Sequence, residues 1–353
     1  MLIKYKYLKY LILILTIVIV AFLMLHNKIQ VTKYADNFLL VLTDNKYEVT
    51  YGKYDSSTKK FNKLYKNKKS AYPTGLFLSS DNSLYYTKKD DNGYTQLYKL
   101  NLKTMKEKQI TNELHNNIVN VDFIDINTKE STIYMRVIQN GHSNMQIATY
   151  SIKTNIVRTW NKDENDISVQ RFDYSPSSNT LLVALYSLKQ EFQNMKKTNE
   201  TQNFIKYTTA YNLVQLDSKG KKINEIDLIN KPVVDIAFSA KYNLELAIIS
   251  EMVNIKEHKY LTTIRIKDIK KNKFYNISFT DLGYDSVQQG KFSLNDYGFY
   301  FIASKTNDGT VLDEQGGVYK PKKLYYYNLK SKEISIIFEL KNNTINNFLM
   351  INS

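Results

Sequence analysis

Histidine is the side chain best suited to proton transfer or metal ligation near neutral pH, and the chain has four: His26, His115, His142 and His258. No two share the H-x-x-x-H or H-E-x-x-H spacing that puts a pair of imidazoles on one helical face. Cysteine is absent, which removes disulfides, thiolate nucleophiles, Cys-ligated zinc and a lipid-modified N-terminal Cys. No G-x-S-x-G nucleophile elbow occurs. Asp90-Asp91-Asn92-Gly93 has the look of a calcium loop but lacks the D-x-[DN]-x-[DN]-G spacing and the downstream bidentate Glu. It reads as a hairpin turn, and Asp313-Glu314-Gln315-Gly316-Gly317 is a second segment of the same kind. Asp163, Glu164 and Asp166 flank a connection and could line an outer face. A glycosidase needs two inward-facing carboxylates at a set separation, which residue types alone do not locate. The single Trp160 closes an apolar run and reads as packing rather than as a sugar platform. The sequence therefore assigns no catalytic, cofactor-binding or metal residue. It favours a binding module over an enzyme.

What such a module would bind is narrowed by charge. Lys and Arg number 49 against 34 Asp and Glu, for a formal net charge of +15. A cationic globule is drawn to anionic lipid, anionic polymer or nucleic acid. The N-terminus argues against nucleic acid. Lys4, Lys6 and Lys9 precede YLILILTIVIVAFLML (10–25), an uncharged run, and Lys28 follows it. A cleaved signal peptide has an apolar run of about 7–15 residues and a small-x-small site, and no such site follows here. A spanning helix tolerates about 17 residues, reached by counting Tyr7 and Leu8 around a snorkelling Lys9. Residues 1–29 thus read as a retained signal anchor with a cytoplasmic N-terminus, 30–36 as a linker, and 37–353 as an extracytoplasmic domain.

That domain is rich in Tyr (29) and Phe (16) and poor in Gly (11) and Pro (4), a composition that favours strands. It repeats every ~45–60 residues, a length typical of repeat architectures. Each unit holds four alternating runs, A to D. Run A recurs as YPTGLFLSSD (72–81), NIVNVDFIDI (117–126), SVQRFDYSPS (168–177), KPVVDIAFSA (231–240) and SVQQGKFSLN (286–295). An aromatic residue stands just before its polar turn: Phe77, Phe123, Tyr174, Phe238 and Phe292. Run B follows as in SLYYTK (83–88), run C as in TQLYKLNL (95–102) and run D as in KEKQIT (106–111). The chain ends supply one more unit. NFLLVLT (37–43), YEVTYGKYD (47–55) and KKFNKLYK (59–66) match runs B, C and D, and TINNFLMINS (344–353) supplies run A with Phe348 as its aromatic. A unit shared between the termini closes a ring and leaves no unpaired sheet edge. The expected fold is all-β: a six-bladed β-propeller whose first blade is closed by the C-terminal strand, preceded by one N-terminal transmembrane helix.

SSDNSLYYTK (79–88), with LYKLNL in run C and a run D ending QIT (109–111), resembles the repeats of TolB-like six-bladed propellers. Those carry a Ser-Pro-Asp-Gly type turn after the innermost strand. Here Ser79-Ser80-Asp81 keeps serine and aspartate, Ser175-Pro176 keeps serine and proline, and Ser239-Ala240-Lys241 and Ser293-Leu294-Asn295 keep only the serine. The resemblance covers roughly residues 37–353 and implies a fold, since such propellers serve as scaffolds, receptors and enzyme accessories alike.

In an up-and-down blade the A–B and C–D turns share one face, and the B–C and D–A connections share the other. The anchor joins at run B of the split blade, so the first face should sit near the bilayer. Its C–D turns carry Lys59, Lys60, Lys106, Lys108, Lys221, Lys222, Lys270, Lys271, Lys273, Lys330 and Lys332, candidate contacts to an anionic surface. The opposite face carries the long B–C connections 188–207 and 305–321, where a partner protein or wall polymer would arrive. The expected function is a membrane-tethered scaffold binding a protein or anionic envelope polymer, without cofactor or nucleic acid. Its rivals are a carbohydrate-active enzyme using channel carboxylates and a regulatory or sensory subunit of a membrane complex.

Overall fold

NFLLVLT is apolar at successive positions, so a strand built from it has no face for water. In the computed structural model it forms β1 (Asn37–Asp44), buried on both sides. Phe38, Leu40 and Leu42 pack toward one neighbouring sheet, and Leu39 and Val41 toward the other. The structure describes residues 36–351 apart from 69–72, 201–207, 255–258 and 295–296, together with Thr16 and Val18, which are helical. The remainder of the expected anchor and linker lies outside the described residues. Among the described residues no helix is long and apolar enough to cross a membrane.

β1 lies between β2 (Val49–Asp55) and the C-terminal strand β26 (Asn343–Ile351), and β3 (Lys60–Asn67) completes this sheet. The pairing that the terminal repeat required is present: Asn37 opposes Ile351 and Leu40 opposes Phe348, antiparallel, with one bulge at Val41/Leu42. Next in the chain come β4 (Gly75–Leu78), β5 (Ser83–Lys89), β6 (Thr95–Asn101) and β7 (Glu107–Gln109), followed by β8 (Ile118–Asn127), β9 (Thr132–Gln139), β10 (Gln146–Ser151) and β11 (Ile156–Thr159). These two antiparallel sets are joined by a single parallel bridge, Thr95 to Asn120. Three further sheets follow. One holds β12 (Ile167–Ser175), β13 (Thr180–Ser187), β14 (Tyr211–Asp217) and β15 (Lys222–Ile229). Another holds β16 (Val233–Ser239), β17 (Leu244–Asn254), β18 (Lys259–Asp268) and β19 (Lys273–Ser278). The last holds β20 (Tyr284–Phe292), β21 (Gly298–Lys305), β24 (Lys323–Asn328) and β25 (Ile334–Phe338), with the small hairpin β22 (Val311–Leu312) and β23 (Val318–Tyr319) inserted between β21 and β24.

The core is distributed between sheets. Leu39, Val41 and Tyr51 meet Leu84 and Tyr86 of the next set. Leu76 and Tyr85 meet Ile124 and Met135, Phe123 and Tyr134 meet Phe172 and Leu181, and Leu182 and Leu213 meet Ile236 and Ala247. Leu246 and Ile264 meet Phe299 and Tyr325, and Tyr300 and Tyr326 meet Phe38 and Phe348. The last contact returns the packing to the first sheet, so the apolar layers form a cycle. Alternating aromatic and branched residues suit this because the inner strands must be apolar on both faces, whereas outer strands such as β3, β15 and β19 are largely exposed.

One sequence expectation shifts in register. The aromatic before the A–B turn is found as predicted at Tyr174 and Phe292, but β8 ends at Asn127 opposite Thr132 and places Ile126 at that position. Phe123 lies three residues further in, where it packs edge-on against Phe172 at 5.0 Å. The long connections also acquire structure: a helix over Leu188–Glu200 and the β22–β23 hairpin.

Candidate functional site

The innermost strands β8, β12, β16, β20 and β26 are apolar runs interrupted by a few polar residues. Those residues form an orderly set. Asp125 Oδ2 accepts from Tyr174 N at 3.4 Å, Asp173 Oδ2 from Phe238 N at 2.7 Å and Asp235 Oδ2 from Gly290 N at 2.7 Å. Gln289 completes the series, accepting from Phe348 N at 3.0 Å and donating to Phe348 O at 2.7 Å. Each side chain thus satisfies backbone of the next innermost strand around the channel, where a ladder bond is not available.

Lys291 on β20 reaches across to both Asp125 on β8, at 2.6 Å, and Asp173 on β12. All three are buried. Burial pushes the Asp173 carboxyl up to about 6, with Lys291 pulling it down and Asp125 pushing it further up. Burial opposes the charge of Lys291, but the two carboxylates outweigh it and hold its ammonium above the ordinary lysine range. This triad lines a cavity of about 370 Å³ at the mouth formed by the A–B turns, beside Ser175, Ser239, Ser293 and Lys241.

Deeper in the channel, Arg136 donates from Nε to Asp122 Oδ1 at 2.7 Å. Arg171 lies 3.8 Å from Asp235 and 5.3 Å from the Phe123 ring, and its Nη1 is buried without a hydrogen-bond partner. A space of about 250 Å³ is lined there by Arg171, Asp122, Asp235, Gln288, Gln289 and Asn347. It shares Pro73, Val234, Gln288 and Asn346 with a much larger cavity of about 1090 Å³, built by the B–C and D–A connections.

This wide mouth is where the sequence located the long insertions. Asp313 accepts from Gln315 N and Gly317 N at 2.9 and 2.7 Å, the same five-residue turn that Asp90 makes with Asn92 N and Tyr94 N. Both loops are therefore hairpin turns, as expected. Asp313 also accepts from Tyr47 OH at 2.6 Å, and Glu314 N donates to Asn45 O at 2.9 Å, so the β22–β23 hairpin is fastened over the β1–β2 turn. The hydrogen bond to Asp313 raises the Tyr47 hydroxyl to about 12 and holds the Asp313 carboxyl below its usual range. Around the cavity Lys320 pairs with Asp285 at 2.8 Å, and Asp44 lies 3.6 Å from Lys66. Lys322 also lines it. Its ammonium has no hydrogen-bond or ion-pair partner among the described residues, and burial lowers its pKa.

The remaining candidates are structural turns or packing. Glu164 Oε1 accepts from Asp166 N at 2.8 Å, and Asp166 caps the helix start through Ser187 Oγ at 2.9 Å and Lys189 N at 2.8 Å. Trp160 meets Tyr134 edge-on at 5.9 Å. A Cβ at Gly220, which has φ +89°, would stand 2.7 Å from the indole, so glycine there serves both the turn and the ring. His115 is exposed on the short helix Glu113–Asn116, and His142 sits in the turn after β9. His26 and His258 lie outside the described residues. Among the described residues no three His, Asp or Glu side chains converge as metal ligands.

All eleven candidate lysines are exposed, and among those at the C–D turns Lys222 pairs with Glu225 and Lys271 with Asp268. Asp36 lies on the same face. Its carbonyl accepts from Ser56 Oγ of a C–D turn at 2.7 Å, and its carboxylate accepts from Ser293 Oγ next to an A–B turn at 2.6 Å. The channel residues were not singled out from sequence. The available signal was a charged residue inside an apolar innermost run, as in FIDI, RFDY and GKFS.

No family model matches the chain. It is 24% identical over 325 residues to an uncharacterized protein, YdjN of Bacillus subtilis (strain 168), covering 91% of this chain and 89% of that one. Among solved structures, a chain of a nidogen/laminin complex superposes with TM-score 0.56 at 9% identity, over 88% of this chain and 97% of the other. TolB from Acinetobacter baumannii gives 0.54 at 11% identity, over 89% and 67% of the two chains. A putative TolB from Agrobacterium tumefaciens gives 0.53 at 8% identity, over 91% and 100%. These likenesses, together with the sheets described above, make the chain an all-β protein of TolB-like β-propeller fold.

Proposed function

We propose that the chain is a membrane-tethered, extracytoplasmic propeller of six blades that binds a protein or an anionic envelope polymer at its wide mouth. The four-strand antiparallel sets and the cyclic packing between them support that blade count. The observation that carries the binding reading is the cavity of about 1090 Å³ on the B–C/D–A face, walled by an insertion hairpin pinned in place by Tyr47 and Asp313. Cavities of this size with a few convergent polar groups are what ligand sites look like. A chain of the same fold occurs in a nidogen/laminin complex, an assembly between proteins. For the seating, Asp36 lies on the lysine-bearing face, so a tether entering there would turn the wide mouth away from the bilayer.

The test is site-specific photocrosslinking in native membranes, with the probe at Tyr319 on the wide mouth or at Lys330 on the opposite face. The proposal expects a discrete protein or polymer adduct from position 319 and lipid adducts from 330. Partner adducts from 330 alone would overturn it.

One observation favours the enzyme reading. Asp125 and Asp173 are two buried carboxylates held by the same ammonium, and glycoside hydrolysis uses a pair of carboxyl groups. Lys291, however, stands between them where the reacting sugar carbon would have to lie. The arrangement therefore suits a cross-channel tie better than a nucleophile and acid.

A further inference from the structure

The acids around the wide mouth and the channel beneath it already have partners. Asp285 has Lys320, Asp122 has Arg136, Asp235 has Gly290 N, and Asp313 has Tyr47 and two backbone amides. The donors are not equally satisfied. Lys322 has no partner for its ammonium among the described residues, and Arg171 Nη1 is buried with none. The spaces these two line adjoin, with Pro73, Val234, Gln288 and Asn346 lining both. Asn347 Oδ1, lining the same channel, is a buried acceptor with no donor. A buried donor left without an acceptor is costly, and the cost is larger when the group is charged.

From these unfilled valences we propose that the wide mouth and the channel below it form one well for an anionic, hydroxyl-bearing ligand, with Lys322 at its wall and Arg171 at its floor receiving a carboxylate or phosphate. The guanidinium offers a planar fork for an oxyanion, and the lysine a point charge. A ligand hydroxyl donates to Asn347. Tyr260, Tyr284 and Tyr319 line the wide mouth and supply the apolar surface that a sugar or polyol backbone covers. The chemistry is shared by uronic acids and polyol phosphates, so the acid group is specified and its source is left to the experiment. Lowering of the Lys322 pKa by burial is consistent with an ammonium awaiting a counter-ion.

This inference rests on the wide mouth being the binding face. Its test is calorimetric titration of the full chain in detergent with inorganic phosphate, glycerol 3-phosphate and glucuronate, with glycerol and glucose as neutral controls. At least one anion should bind saturably and the neutral compounds should not. Lys322→Met should weaken binding about tenfold or more, as loss of a charged hydrogen bond does, while Lys322→Arg retains it and Lys330→Met on the other face has no effect. Binding of glycerol 3-phosphate alone would assign a phosphate source, and of glucuronate alone a carboxylate source; each supports the well. Equal binding by Lys322→Met, equal binding of neutral controls, or no saturable binding of any anion up to about 10 mM would overturn it. Arg171→Gln is the second variant, and Lys322→Met carries the test if that one does not fold. Adducts from position 319 in membranes combined with no anion binding would sink this inference alone. Partner adducts only from 330 would sink the parent reading.

Discussion

Two buried ionisable groups make opposite use of their surroundings. Lys291 is paired twice, and removing it would leave Asp125 and Asp173 facing each other without a cation. Lys291→Met should destabilise the fold by about 3–5 kcal/mol at pH 8, and by less at pH 5, below the value of about 6 to which burial pushes Asp173, where that carboxyl takes up a proton. Urea denaturation at the two pH values reads both numbers. Glu245 is fully buried with neither carboxylate oxygen hydrogen-bonded, and burial, then Asp227, pushes it up to about 7 against the pull of Arg265 and Lys267. Between pH 4.5 and 7 the folded carboxyl keeps a proton that the unfolded chain has lost. The native state then binds more protons, so this group's contribution to stability falls as pH rises through that window. Glu245→Gln should flatten that fall and stabilise the protein by roughly 1–3 kcal/mol at pH 8, measured by the same titrations. The sequence marks Asp125, Asp173 and Lys291 only as charges inside apolar runs; their pairing, and the burial of Glu245, were not legible, because Asp, Glu and Lys in an exposed strand and in a channel-lining strand look alike until register is known. The left-handed turn positions were hidden for a related reason. Glycine is scarce, and Asn82, Asn155, Asn179, Asn243 and Asn272 adopt positive φ in its place.

At the scale of elements the repeat was readable, since a strand buried on both faces leaves few residue types open to selection. β1, β13 and β21 are near-continuous apolar runs, and NFLLVLT (37–43) already marked the first of them. Run A over residues 117–126 misled by three residues because an aromatic was sought where Ile126 sits. The Leu188–Glu200 helix carries Leu188, Phe192 and Met195 at i, i+4 and i+7, a helical period, but the segment reads as a polar insertion because these three stand alone among polar residues and none of the helix is buried. The element with the largest consequence is β26. Phe348 is fully buried against Phe38 at 6.0 Å, and its backbone is bridged by Gln289. Phe348→Ala should cost about 3–5 kcal/mol, read as a lowered denaturation midpoint with an unchanged slope.

For the whole molecule, the proposed seating has an electrostatic consequence. Residues 36–353 should bind vesicles containing anionic lipid, and Lys270, Lys271, Lys330 and Lys332 changed together to Gln should weaken this by about 1 kcal/mol per lysine at low salt, and less as salt rises. Co-sedimentation that ignored both lipid charge and salt would argue against a membrane-facing lysine ring. Every assignment of a face, and hence of the wide mouth as a binding site, depends on β26 lying beside β1. Because the chain is free of cysteine, the pair Asn37→Cys and Ile351→Cys tests that directly: the two positions are cross-strand partners, within reach of a disulfide. Mild oxidation should give a monomer with both thiols consumed and faster migration on a non-reducing denaturing gel. Free thiols, or dimers in place of the internal link, would mean that the ring is not closed by its own C-terminus.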